Sequence, residues 1–119
     1  IYRARPFYVT VERTAALDEG FMKKVELVDV DEHGGFALKI TFNEEGARRL
    51  DYLTTANKGR RLGVHSKWTE TRWLAAPLIS RRISDGVFIF TPDASREECE
   101  RIVNGLENII KKLSKPYTF

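Results

Sequence analysis

Cysteine is nearly missing from this 119-residue chain: Cys99 stands alone, so no internal disulfide can brace the fold. Histidine is almost as scarce. His33 and His65 are the only two, and neither stands in a metal-ligand spacing such as His-Glu-x-x-His, so no metal site is assigned. No apolar run approaches the ~18 residues that a membrane helix needs, which excludes a span within the chain. Internal repeats and low-complexity tracts are lacking too, and Gly34-Gly35 has no phosphate-loop context and reads as a turn. The chain opens on Ile1 rather than methionine, which leaves room for an upstream signal peptide or anchor.

What is present describes a globular chain. Hydrophobic residues make up 42% and charged residues 31%, enough apolar material for a core without disulfides or metal, and one domain over residues 1–119 is expected, with 114–119 as a tail. The net charge of +3 raises nucleic acid as a partner, with basic pairs at Arg48-Arg49, Arg60-Arg61, Arg81-Arg82 and Lys111-Lys112. Glu44, Glu45, Glu97, Glu98 and Glu100 interrupt them, however, and a phosphate track needs an unbroken positive strip. A solvated surface is the reading, with no nucleic acid as partner, and a basic nucleic-acid module is kept as an alternative that steep salt dependence would reveal. Asp29, Asp31 and Glu32 lack the spaced loop of a calcium site and suit a turn.

Two periods organise the chain. Phe7, Val9 and Val11 alternate with Tyr8, Thr10 and Glu12 as in a half-buried strand, and Thr14 to Gly20 reads as a connection or short helical turn. Val25 and Leu27 lie in one phase and Val28 and Val30 in the other, which suggests a bulge or a strand covered on both faces. After turn chemistry at Asp31 to Gly35, the residues Phe36, Leu38, Ile40 and Phe42 resume strict alternation. Asn43 is suited to cap a helix, with Glu44 and Glu45 at its positive end and Ala47, Leu50, Leu53 and Thr54 on one face. Asn57-Lys58-Gly59 supplies its stop.

A strand pair follows, with Leu62 and Val64 on one side, Arg61, His65 and Lys67 at polar positions, and a turn near Thr69 to Thr71. Val87 to Phe90 is a short strand. Ser95 and Glu98 have capping-box spacing, and Cys99, Ile102, Val103, Leu106, Ile109, Ile110 and Leu113 step along one helical face. Pro116 limits further helix. Strands surrounding two one-sided helices indicate an α+β two-layer sandwich, with two principal helices on one face of a mainly antiparallel sheet.

The chemistry inventory is poor. Cys99 on an apolar helical face is a small hydrophobe rather than a nucleophile, so no catalytic residue and no cofactor site is assigned. The best local candidate for function is the strand pair around Trp68 and Trp73, flanked by Lys67 and Arg72, because aromatic and arginine surface is the usual material of binding hot spots. The opposing reading is that the two indoles pack together or cap the sheet.

An ordered series runs through residues 36–113: Phe42, Gly46-Ala47, Leu50, Thr54, Asn57 and Gly59, then Arg61 to Val64, Ala76-Pro77, Ile79, Ile83, Gly86, Ile89, Thr91, Ala94, Glu98, Ile102 and Leu106. In this order the chain resembles the periplasmic head subdomain of SecD, the membrane subunit that assists bacterial protein export. It departs from that pattern in a longer, more aromatic stretch from His65 to Trp73 and in Phe88 and Phe90 where the family has glycines. The resemblance implies a non-enzymatic, extracytoplasmic or periplasmic protein-interaction domain, secreted or membrane-anchored, whose partner is an exported polypeptide or envelope protein. A small-ligand-binding or enzymatic α+β domain stays open beside it, since fold does not determine function.

Overall fold

In the computed structural model, which describes residues 7–11, 14–67 and 71–114, the strands divide between two antiparallel sheets. The first orders β2 (Thr14–Asp18), β1 (Phe7–Val11), β5 (Leu62–Lys67) and β6 (Thr71–Ala75). The second orders β3 (Met22–Asp29), β4 (Phe36–Phe42) and β7 (Val87–Phe90). Helix α1 (Glu44–Ala56) joins β4 of one sheet to β5 of the other, and α2 (Arg96–Ser114) closes the described chain. The α+β class stands, with the strands shared between two sheets.

The local signals at both helices act as the residues require. Asn43 caps α1 by accepting from the Gly46 amide at 2.8 Å, and the Ser95 hydroxyl accepts from the Glu98 amide at 3.1 Å at the start of α2. Such a cap contributes about 1 kcal/mol. On α2 the inward residues Cys99, Ile102, Leu106 and Ile110 are buried, Val103 and Ile109 are half-buried, and Leu113 is 61% exposed because the last turn runs past the core. On α1, Leu50 and Thr54 are buried, and both helices share one hydrophobic cluster with Phe7, Val9, Leu38, Ile40, Leu62, Val64, Leu74 and Phe88.

Three strand expectations are revised. The segment from Thr14 is a strand paired with β1, followed by a 3-10 turn over Glu19–Phe21 where the Asp18 carboxylate accepts from the Gly20 amide. The irregularity of β3 lies between Met22 and Lys24 rather than at Leu27-Val28, and Val30 is solvent-exposed beyond the strand. The polar position at His65 is buried. The β3–β4 turn follows its sequence chemistry: Asp31 Oδ1 accepts from the His33 and Gly35 amides, and Gly34 takes φ +87°, where a side chain would be strained.

The long connection from β6 to β7 is held down at several points. Leu62 donates its amide to the Pro77 carbonyl and Ile79 donates to that of Arg60, forming an isolated bridge between Arg61 and Leu78. The buried Thr54 hydroxyl donates to the Leu50 carbonyl and accepts from the Ile83 amide at 2.9 Å. Arg82 grips Asp51 with two parallel hydrogen bonds of 2.5 and 2.9 Å, and this fork holds the Asp51 carboxyl below its ordinary pKa.

Candidate functional site

Inward alternation on β1 dictates what its other face carries. With Phe7, Val9 and Val11 committed to the core, Tyr8 and Thr10 must point to the opposite face of the four-stranded sheet. The same holds for β5, where Leu62 and Val64 are buried in the core and Gly63 and His65 fall on the outer side. Register then brings these together, because Tyr8 lies opposite His65, Thr10 opposite Gly63, and His65 opposite Trp73 of β6. Three rings form a row across β1, β5 and β6.

The geometry of the row is close. Tyr8 stacks on the imidazole at 4.6 Å and 8° between ring planes, and Trp73 tilts over its other side at 4.1 Å and 53°. His65 is thereby only 6% exposed, whereas Trp73 remains 59% exposed. Gly63 makes room for this arrangement: a Cβ there would stand 2.7 Å from Trp73 Cζ3, 2.7 Å from Thr10 Oγ1 and 2.9 Å from His65 Nε2. Trp73 therefore lies across a gap in the sheet surface that only glycine leaves open.

Burial pushes the pKa of His65 below its ordinary 6.5, so the ring is neutral at pH 7. Its Nε2 lies 3.1 Å from Thr10 Oγ1, one sharing a hydrogen with the other, and Nδ1 is buried with no hydrogen-bond partner among the described residues. A second ring proton would thus bring a charge and an N–H with no acceptor to receive it. The unfolded chain binds that proton near pH 6.5 while the folded chain resists it, so stability is full above pH 6.5 and lost as pH falls through the folded pKa. The expected result is a thermal midpoint that drops by a few degrees between pH 7 and pH 5, with the His65-specific part of the drop gone in His65→Phe; equal slopes for both proteins would refute it.

The four residues expected to form a binding hairpin are distributed as follows. Trp73 is the exposed end of the ring row. Lys67 and Arg72 sit on β5 and β6, with Lys67 opposite Thr71 and Ser66 opposite Arg72, and their side chains lie outside what the structure describes. Trp68 and the turn at 68–70 lie outside the described residues, as do Pro116 and the tail beyond Ser114. Sequence reasoning passed over Tyr8, Thr10 and Gly63, whose only signal was the polar phase of their strands.

Other chemistry is committed to the fold. Asp31 serves its turn, Asp29 pairs with Arg96 at 2.9 Å, and Cys99 is a buried thiol outside any disulfide. Arg49 lies over the Phe21 ring and pairs with Glu45, beside a shallow concavity of about 410 Å³ near Tyr52. Among the described residues no cluster of three metal-ligating side chains occurs, and no helix is long and apolar enough to cross a membrane.

Comparisons with known proteins agree with one another. The family model of the SecDF P1 head subdomain matches residues 2–108, which takes in the N-terminal strands as well as the motif-bearing part. A solved structure described as a membrane component SecDF that enhances protein export superposes with a TM-score of 0.67 at 27% identity, covering 77% of this chain and 40% of that one. SecDF in its super-membrane-facing form gives the same score and identity over 77% of this chain and 12% of that one. The chain thus spans well under two thirds of either protein. No curated protein matches it.

Proposed function

This chain belongs to the family of SecDF P1 head subdomains, and from that premise we propose that it is a non-enzymatic, extracytoplasmic interaction domain that contacts polypeptides during export. The observation that carries the reading is Trp73, an indole left 59% exposed at the end of a ring row that the sheet holds rigid. A large aromatic on a rigid strand loses little entropy on binding, and buried indoles dominate the energetics of many interfaces. The neutral imidazole beneath it keeps the patch uncharged and suited to apolar segments.

The basic residues favour this reading over nucleic acid. Arg49, Arg82 and Arg96 are each drawn into ion pairs with Glu45, Asp51 and Asp29, which leaves them poor members of a phosphate track. The chain covers only part of its relatives, and the proposed role is correspondingly that of a contact surface within a larger apparatus.

Trp73→Ala, which removes an exposed ring without opening the core, is expected to weaken binding of an unfolded presecretory polypeptide at least tenfold, about 1.4 kcal/mol. Fluorescence anisotropy with a reduced, labelled polypeptide measures this, and Trp68→Ala in parallel reports on the other indole. Unchanged affinity in a folded Trp73→Ala protein would remove the ring row as the contact.

A further inference from the structure

We propose that the free edge of β7 takes up one extended polypeptide segment as a fourth strand of the β3–β4–β7 sheet. The inference rests on the reading of the domain as a polypeptide-contacting head, and it concerns a surface on the other sheet from Trp73. Hydrogen-bond parity defines the edge. Phe42 donates to the Gly86 carbonyl, so in the β4–β7 register the pairs Ile40 with Phe88 and Leu38 with Phe90 are the bonded ones. The amide and carbonyl groups of Val87 and Ile89 therefore point away from β4. The Val87 amide is taken by the Asp85 carboxylate at 3.1 Å, which leaves the Val87 carbonyl and both backbone groups of Ile89 open among the described residues.

The pairings behind the other three edges are each interrupted by a bulge, and this one is not. On β3 a bulge and the charged Lys23, Lys24 and Glu26 break the edge, and Glu107 of α2 accepts from the Val25 amide. On β6 a bulge falls opposite Val64-His65, and the Leu74 carbonyl accepts from the Asp93 amide. The β1–β2 pair is irregular at Val9-Thr10. By contrast β7 reads Val-Phe-Ile-Phe in unbroken register, without charge, proline or bulge, which is the composition that pairs most readily with another strand.

Beside this edge lies a slot of about 480 Å³, walled on its far side by the Pro77 to Asp85 segment. Ile89 and Leu78 both line it with more than half their surface exposed. That wall is fixed by the Arg61–Leu78 bridge, the Thr54–Ile83 hydrogen bond and the Asp51–Arg82 fork. Arg81 on the rim is exposed and, unlike Arg82, makes no ion pair among the described residues. The occupant is accordingly an extended segment with apolar side chains at alternate positions and an acidic residue near Arg81. Main-chain hydrogen bonds would supply affinity without demanding one sequence, which suits a surface meeting many exported chains.

The test uses the 119-residue chain and a labelled synthetic peptide of alternating valine and threonine with one central glutamate. In the free protein the Ile89 amide is expected to exchange rapidly between the protected amides of Phe88 and Phe90, and to become protected when the peptide binds. Ile89→Pro removes the outward amide together with the isoleucine side chain that lines the slot, at a position where an edge strand tolerates proline, and is expected to weaken binding at least tenfold while the Phe88 and Phe90 amides stay protected. N-methylation of alternate peptide amides is expected to do the same. Equal binding by Ile89→Pro and wild type would overturn the proposal. Loss of binding in Trp73→Ala alone would also overturn it, leaving polypeptide contact at the ring row intact. A peptide-free dimer with a protected Ile89 amide would assign the edge to a second copy and equally overturn it.

Discussion

Leu106→Ala is expected to lower the unfolding free energy by about 2–5 kcal/mol, the usual cost of emptying a fully buried leucine site. Leu106 is 0% exposed and sits between Ile102 and Ile110 on the face of α2 that packs against β3, within the cluster joining both sheets. Denaturant titration followed by far-ultraviolet circular dichroism and by tryptophan fluorescence measures the loss, and a shared core requires both signals to move together. Leu113→Ala, on the same stripe but 61% exposed, is expected to stay within about 0.5 kcal/mol of wild type. Equal losses at the two positions would contradict the packing of α2 described above.

Gly63→Ala is expected to cost about 1–3 kcal/mol, as overpacking of a close contact does. The added methyl would meet three side chains at once, Thr10, His65 and Trp73, and the indole is the one free to leave toward solvent. The ring row is then broken although no ring has been removed. A double-mutant cycle isolates this: in a Trp73→Ala background the alanine should cost distinctly less, because one of its three clashes is gone. Additive costs would show that Trp73 does not lie over Gly63. The same Gly63→Ala protein, still folded, should also bind polypeptide more weakly, because the displaced indole is no longer held against His65.

The parts of this fold that were legible in sequence are those decided within a few residues. Asn43 before Glu44-Glu45 and Ser95 before Glu98 signal helix starts because capping is a contact over three residues, and both caps form. The Asp31 to Gly35 turn is equally local. Alternation on β1 and β4 shows which face is buried but not against what, so the sharing of strands between two sheets was hidden. The pairing of β1 with β5 brings the Thr10 side chain into a hydrogen bond with His65, 55 residues away, and no local pattern announces it. For that reason His65 reads as a surface residue although Tyr8 and Trp73 cover it on both sides. Leu113 shows the converse: it keeps the helical period, yet it is 61% exposed one turn beyond the buried Ile110. Trp73 was legible as a contact residue by type, whereas its support by Gly63 and Thr10 depended on register.

The sheet-mounted ring row ending in Trp73 is proposed to contact unfolded polypeptide. The most direct measurement is two-dimensional NMR of the labelled chain titrated with a reduced presecretory polypeptide, following the Trp73 indole N–H and the ring signals of Tyr8 and His65. The expected result is progressive, saturable shifts at these three rings, with the Tyr52 ring and the amides of the α1 outer face unmoved. Saturable shifts confined to α1, or no shift at the three rings while the polypeptide binds, would contradict it.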